Sequence, residues 1–256
     1  MDPSPGLPLT GERTLPGIPD ERYFFERHVV AYLGAAERVR TSGAAVVLDA
    51  GCGEGYGLVL LAGGGASRVI GVDLDPQVVA HVRSTYAAAD PRIEVVEAEL
   101  GALPLADDEV DLAVSFQVIE HLHDVPAYLA SLRRVTRPGG EVWIATPNRL
   151  TFTPDSAVPV NPFHVREFTA AELTAELSGA GLVVDRLVGV HHGARLRAEE
   201  SRLGRSLVDA LTAVPPQRWD ERLRATVHAT RADDFEVRTD DLDASLDLIA
   251  IARVDA

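Results

Sequence analysis

At 256 residues, 46% apolar and 25% charged, the chain is long enough for one large globular domain, or a domain with a lid. A net charge of −15 argues against a nucleic-acid partner, because phosphate binding wants a basic face; all 24 basic residues are arginine, which removes lysine chemistry and the P-loop together. The lone Cys52 excludes an internal disulfide and a multi-cysteine zinc site, and with no long apolar run and no basic-then-apolar leader the chain reads as cytoplasmic, without a membrane partner.

Residues 1–19 carry Pro3, Pro5, Pro8, Pro16 and Pro19 and read as an N-terminal arm. A single domain over 20–256 follows. Tyr23, Phe24, Val30 and Leu33 mark an amphipathic helix from about Asp20 to the Arg40 region. Strand and helix then alternate. Val46–Ala50 is an apolar strand, and Tyr56–Ala62 a helix stopped by Gly63-Gly64-Gly65. Val69–Asp73 is the second strand, after which Asp75-Pro76 supplies an N-cap and first-turn proline for a helix to about Ala89. Ile93–Glu97 and Asp111–Phe116 are the third and fourth strands. A helix from about Pro126 to Thr136 ends at Arg137-Pro138-Gly139-Gly140, and Glu141–Thr146 is the fifth strand. Thr169 with Glu172 forms a capping box for a helix closed by Gly179 and Gly181, and Leu182–Val190 and Ser245–Ala252 are the last two strands. The rhythm predicts an α/β fold: a seven-stranded, mainly parallel, doubly wound sheet with helices on both faces. A helical, arginine-rich insertion of about 194–231, broken at Pro215-Pro216, reads as a lid or an oligomer contact.

The stretch "VLDAGCGEGYG" at 47–57 places glycines behind a strand, at the position where doubly wound folds bind ligands. Asp73 at the second strand end suits a ribose in either a nicotinamide or an S-adenosylmethionine cofactor. Asp49 separates them: an acid before the glycines repels a pyrophosphate and suits an ammonium or sulfonium group. Gly51-Cys52-Gly53-Glu54-Gly55 also lacks the third glycine at the dinucleotide spacing.

With these residues in place, the sequence resembles the class I S-adenosylmethionine-dependent methyltransferases, whose fold is Rossmann-like. "VLDAGCGEG", "VIGVDLD", "VVEAELGALPL", "VDLAVSFQVIEHL" and "RPGGEVWIATPN" match their motifs in order. The resemblance implies that Gly51, Gly53 and Gly55 contact the methionine part of the cofactor, with Asp49 ordering the loop and its amino group. It implies that Asp73 holds the ribose, Leu74 and Leu100 sandwich the adenine, Glu99 accepts from its amine, and Phe116 lies below the sulfonium.

Methyl transfer to a hydroxyl needs alignment, exclusion of water and removal of a proton. Glu120, His121, His123 and Asp124 follow the fourth strand; His164, Arg166 and Glu167 follow the fifth, in "NPFHVREF". Of these, Glu120, His121 and His164 are the catalytic candidates, with orienting or capping roles as the alternative. "NPFH" follows the wrong strand for an amino-group DNA methyltransferase. His191-His192 resembles a metal pair, but neighbours on a strand point to opposite faces. Arg27 and His28 either reach the cofactor carboxylate or lie on a surface helix. Tyr23, Phe24, Phe25, Phe152, Phe163 and Trp219 are candidates to stack on a pyranose, with Phe24 and Phe163 otherwise core and Tyr23 or Trp219 exposed.

A narrower resemblance spans nearly the whole chain. "LTGERTLPGIPDERYFFERH", "FQVIEHL", "TPNRLTFTP", "NPFHVRE" and "DDLDASLDLIAIA" are similar to actinobacterial, mycobacterial-type sugar O-methyltransferases of methylated polysaccharide biosynthesis. It implies methylation of a hexose hydroxyl on a glucan- or mannan-type oligosaccharide. It also implies a divalent metal such as magnesium as a further cofactor, toward which Glu120, His121 and His164 are the donors, although no residue is assigned to a metal from the sequence. A methyltransferase of a small aromatic or quinone-like metabolite, and a non-catalytic S-adenosylmethionine-binding protein, are the competing expectations.

Overall fold

The computed structural model describes residue 7, residues 13 to 154, residue 156 and residues 158 to 255, so Pro3, Pro5 and Pro8 of the expected arm lie outside the described residues. Eight strands among them are β1 (Val46–Ala50), β2 (Arg68–Asp73), β3 (Ile93–Glu97), β4 (Val110–Phe116), β5 (Thr136–Pro147), β6 (Leu182–His192), β7 (Phe235–Arg238) and β8 (Asp247–Val254). They form one sheet in the order β3-β2-β1-β4-β5-β8-β6-β7. Pairing is parallel from β3 through β5 and antiparallel across β5–β8, β6–β8 and β6–β7. The order reverses between β1 and β4, which opens a crevice above their carboxyl ends.

The sheet therefore has eight strands, not seven. The additional β7 is four residues long, and only Phe235 of it is buried, too little pattern to announce a strand; it forms by pairing with β6, whose range extends to His192. Two boundaries also differ. Arg137-Pro138-Gly139-Gly140 does not stop the chain before β5 but bulges within it, between the Val110–Thr136 and Leu112–Glu141 pairs. The helix expected from Pro76 to Ala89 is α-helical only to Val82 and then widens into a π turn over Arg83–Ala87. Asp75 caps it by accepting from the Gln77 amide, and the Thr169–Glu172 capping box forms as read.

Helices α1 (Arg22–Ser42), α2 (Tyr56–Gly63) and α3 (Pro76–Val82) pack on one face of the sheet, and α4 (Val125–Val135) lies on the other. After β5 come α5 (Arg149–Phe152), capped by Asn148, and α6 (Ala170–Gly179), which joins α4. Residues 194–229 carry α7 (Ala194–Leu203), α8 (Leu207–Thr212) and α9 (Glu221–Ala229). Their Leu196, Leu207, Leu211, Leu223 and Val227 join the α1 face of the core.

A buried ion pair crosses this apolar interior. On α1, Arg27 is 3% exposed and pairs with Asp247 at the start of β8, also donating to the Leu246 carbonyl at 2.9 Å. Asp247 in turn accepts from the Gln117 amide at 3.3 Å, which holds the left-handed residue (φ 59°) just beyond β4. Replacing one partner strands a buried charge. Arg27→Ala is expected to cost about 3–5 kcal/mol in denaturant unfolding, and a double replacement, Arg27→Met with Asp247→Leu, to recover most of it.

Candidate active site

The glycine loop after β1 is shaped by the end of β2. The amides of Gly51 and Cys52 donate to the Val72 carbonyl at 2.8 and 3.0 Å, and the Gly53 amide donates to Asp73 Oδ2 at 3.0 Å. Gly51 has φ +85°, and a Cβ there would lie 2.6 Å from Val118 Cγ2, so a side chain is refused on both counts. Tyr32, Gly51, Gly53, His28 and Phe116 line a narrow cavity of about 60 Å³ above the loop. Phe116 is 5% exposed and meets Tyr32 edge-on at 4.9 Å.

Asp49 lies beneath this cavity and is wholly buried. The Tyr32 hydroxyl donates to its carboxylate at 3.1 Å. That approach needs Gly57, where a Cβ would stand 2.1 Å from Tyr32 Cε1. Burial pushes the Asp49 carboxyl up to about 7; the Tyr32 hydrogen bond opposes this and the neighbouring Asp73 adds to it. Glu54, which also lines this cavity, takes the Tyr86 hydroxyl and His81 Nε2, each at 2.8 Å.

The expected adenosine residues lie at and just beyond the ends of β2 and β3 and are not part of the lining of the small cavity above the loop. Asp73 accepts from the Asp75 amide at 3.0 Å and, through its carbonyl, from Ala98 at 3.1 Å, which brings the ends of β2 and β3 together. Leu74 is 61% exposed, Glu99 is exposed and Leu100 half-buried. Such a surface is free to take a flat ring.

A larger cavity, about 410 Å³, opens beside the loop, with Phe24, His28, Gln117, Glu120, Phe152 and His164 in its wall. It gathers the three catalytic candidates. Glu120 and His121 belong to a single 3₁₀ turn, Ile119–His121, separate from α4 and not at its start. His164 arrives from the loop after α5, which is tied back by the Val165 amide donating to the Glu120 carbonyl at 2.7 Å. The His121 and His164 rings meet edge-to-face at 5.0 Å, and Phe152 stacks on His164 at 5.4 Å. One donor atom from each of Glu120, His121 and His164 lies within 4.8 Å of the others.

Glu120 is 1% exposed. Its Oε2 accepts from the Thr146 hydroxyl at 3.0 Å, while its buried Oε1 has no partner. Burial pushes the carboxyl up to about 8, and Asp247 and Glu167 push the same way. The imidazole tautomers follow from their partners. Phe163 donates its amide to Asn161 Oδ1 at 3.0 Å, so the Asn161 Nδ2 donates to His164 Nε2 at 3.0 Å, and Nδ1–H of His164 donates to Glu167 at 2.8 Å. His121 Nδ1 faces the Phe163 carbonyl at 2.9 Å and is therefore its protonated nitrogen. The set fits the divalent ion implied by resemblance: a buried orphaned carboxylate oxygen and two imidazoles each anchored through Nδ1.

Several side chains fall elsewhere than expected. Arg27 is paired with Asp247 and borders only the larger cavity, whereas His28 lines both cavities; its burial lowers the imidazole to about 4, so it is neutral. Tyr23 and Trp219 are buried and Phe163 is 43% exposed, the reverse of the expectation. His192 bonds Tyr23 and Glu200, and among the described residues His191 and His192 join no metal-binding group. Sequence reasoning missed Arg13 and Thr14, which line both cavities. Arg13 pairs with Asp75 at 2.8 Å and Thr14 meets His28 at 3.3 Å, so the stretch from Arg13 packs over the cleft and is no loose arm. It missed the role of Tyr32 as well, although a tyrosine at the apolar spacing of the first helix was the available signal.

A doubly wound sheet with a glycine loop, an acid under it and an acid at the end of β2 defines a nucleoside-cofactor enzyme of the methyltransferase type. Comparison with known proteins agrees. A family model described as "Methyltransferase domain" matches residues 48–144. The chain is 49% identical over 251 residues to a Mycolicibacterium smegmatis protein named "Probable S-adenosylmethionine-dependent methyltransferase", covering 96% of this chain and 95% of that one. A Mycobacterium tuberculosis protein of the same description is 48% identical over 96% of this chain and 89% of its own length. Among solved structures, an S-adenosylmethionine-dependent methyltransferase from Mesorhizobium loti matches with TM-score 0.53 at 21% identity, over 87% of this chain and 99% of that one. The Haloferax volcanii partner of the Trm112 methyltransferase activator matches with TM-score 0.63 at 20% identity over 93% of both chains. The chain belongs to the S-adenosylmethionine-dependent methyltransferases. Its cofactor is S-adenosylmethionine, with S-adenosylhomocysteine as product. No helix among the described residues is long and apolar enough to cross a membrane.

Two predictions concern the cofactor. Asp49, raised from 3.8 to about 7, carries stability that is present in acid and lost as pH rises through about 7. A cationic ligand favours its ionised form, so cofactor affinity measured by calorimetry should rise with pH up to about 7 and then level; Asp49→Asn should flatten that slope. Asp73→Ala removes hydrogen bonds to the loop and to a bound ribose together. It should weaken cofactor binding by about 1.5–3 kcal/mol, and an unchanged dissociation constant would remove Asp73 from the site.

Proposed function

We propose that this methyltransferase is an O-methyltransferase acting on a hexose hydroxyl of a glucan- or mannan-type oligosaccharide precursor. The observation that carries this reading is the 410 Å³ cavity, which joins the cofactor cleft through the shared residues Arg13, Thr14, His28 and Gln117. Its wall combines aromatic faces, Phe24 and Phe152, with amide, imidazole and carboxyl groups, a mixture suited to the apolar face and hydroxyl rim of a sugar. Together with the resemblance of the terminal segments, it supports a saccharide acceptor over a planar aromatic metabolite.

In this reading the acceptor hydroxyl lies against Glu120, His121 and His164, facing the sulfonium methyl across Gln117. Transfer forms the acceptor O–C bond as the S–C bond breaks and its electron pair returns to sulfur; the hydroxyl proton is drawn away at the three-residue group. Glu167 keeps His164 oriented through its Nδ1–H, and Thr146 holds Glu120. A divalent ion held by Glu120, His121 and His164 would supply Lewis acidity to the hydroxyl there. Phe24 and Phe152 exclude water from the reacting pair. The chemistry is soluble and intracellular in this reading, with no nucleic-acid or membrane partner; an oligomer is compatible with it.

The test is purified protein with S-adenosylmethionine and short glucose oligomers, short mannose oligomers and a catechol, with added magnesium, added manganese or chelator. Mass spectrometry follows methyl gain. Methylation of one oligosaccharide is the expected result. Methylation of the catechol alone rejects the sugar, and tight cofactor binding with no acceptor methylated favours a non-catalytic binder. On the active acceptor, His164→Ala should lower kcat at least about 100-fold and leave cofactor affinity unchanged.

A further inference from the structure

We infer that Arg13 recognises the carboxylate of the cofactor's methionine end, with Asp75 as its positioning residue. The assignment needs no acceptor and stands apart from the saccharide reading above.

The methionine end of S-adenosylmethionine carries an ammonium, a sulfonium and a carboxylate. Acids match the first two: Asp49 is buried beneath the glycine loop, and Glu54 lines the small cavity. The carboxylate needs a cation, because an anion taken out of water beside two acids is costly without a partner. Few bases are in reach. Arg27 is engaged by Asp247 and the Leu246 carbonyl and lines only the larger cavity. His28 lines the small cavity, but burial holds its imidazole down at about 4, so it is uncharged near neutral pH. Among the described residues lining that cavity, Arg13 is left as the one permanent positive charge.

The state of its guanidinium supports the same role. Nη2 donates to Asp75 Oδ2 at 2.8 Å, whereas Nη1 is buried and has no hydrogen-bond partner. A guanidinium nitrogen closed off from water with its hydrogens unpaired is unfavourable, and an incoming carboxylate relieves it with a charge-assisted bond. Asp75 holds the fork from a fixed position. It caps α3 by accepting from the Gln77 amide at 2.8 Å, and its own amide donates to Asp73 Oδ1 at 3.0 Å. The hydrogen bond from Arg13 keeps the Asp75 carboxyl below the ordinary range, hence ionised. Arg13 is thereby tied, through Asp75, to the strand end that the resemblance assigns to the ribose. Beyond it, Thr14 meets His28 at 3.3 Å and anchors the segment on α1.

The experiment compares S-adenosylmethionine with decarboxylated S-adenosylmethionine, which keeps both cationic groups and lacks only the carboxylate. Calorimetry on the full chain reads both dissociation constants for the wild type, Arg13→Gln and Asp75→Asn. In an acidic site with no cation for the carboxylate, the decarboxylated form would bind at least as tightly as the natural one. The wild type should instead bind it at least about tenfold more weakly. Arg13→Gln should weaken S-adenosylmethionine binding by about tenfold or more and leave the decarboxylated affinity undiminished, so that the preference disappears. Arg13→Lys, which keeps the charge without the fork, should retain part of the preference, and it replaces the first variant should that one not fold. Asp75→Asn still caps α3 and should shrink the preference without lowering the melting temperature. Equal affinities for the two ligands in the wild type, unchanged S-adenosylmethionine affinity in Arg13→Gln, or equal weakening of both ligands overturns the inference.

Discussion

A guanidinium and a carboxylate taken fully out of water tie the first long helix to the last strand. Arg27 and Asp247 are both nearly inaccessible, and each would be prohibitive to bury alone. Their pairing fixes α1 across the sheet top, and the Gln117 amide adds the end of β4 to the same carboxylate. Part of the lining of both cavities comes from the elements that meet at this junction. Phe24 and His28 come from α1, Gln117 follows β4, and Glu120 lies one turn further along the chain. A hydrophobic substitute would hold the helix as well, but it would give Gln117 nothing to bond.

The cofactor cleft shows the same economy in another form. Asp49 is buried, mostly neutral in isolation at mildly acidic pH, and held by the Tyr32 hydroxyl through space that Gly57 leaves open. A cationic cofactor turns that unfavourable carboxyl into a favourable one, because opposite charge in a low-dielectric setting shifts the equilibrium toward ionisation. Below about pH 7 the cost of ionising this acid therefore opposes cofactor binding. The adenosine end is built on the opposite principle: an exposed leucine, an exposed glutamate and a strand-end aspartate offer a surface and not a pocket.

The relatives and the geometry speak to different halves of the activity. Relatives from mycobacteria, about half identical over nearly the whole chain, fix the family and cofactor, and the solved structures that share about a fifth of its residues share its fold. None of those names states an acceptor for this chain. The acceptor half rests on the cavity beside the cleft, where three polar side chains from two separate segments meet. Methyltransferases of this fold share a cofactor platform and differ in what is built above the strand ends, so the two halves need different evidence.

By itself the sequence determined the alternation of strands and helices, the glycine loop, the acids Asp49 and Asp73 beside it, and the caps at Asp75 and Thr169. These are local: period-2 and period-3.6 patterns, and turn chemistry, act over a few neighbouring residues. It also named Glu120, His121 and His164 as candidates, from their places after β4 and β5. What only the tertiary structure decided depends on contacts between residues far apart in the chain. The edge strand β7 exists because β6 offers it a ladder, and Arg27 is withdrawn from the cofactor because Asp247, 220 residues away, neutralises it. Arg13 and Thr14, read as part of an arm, close over the cleft through Asp75 and His28. The orphaned oxygen of Glu120 and the anchoring of His164 by Glu167 arise from burial and ring orientation, which no spacing along a chain encodes.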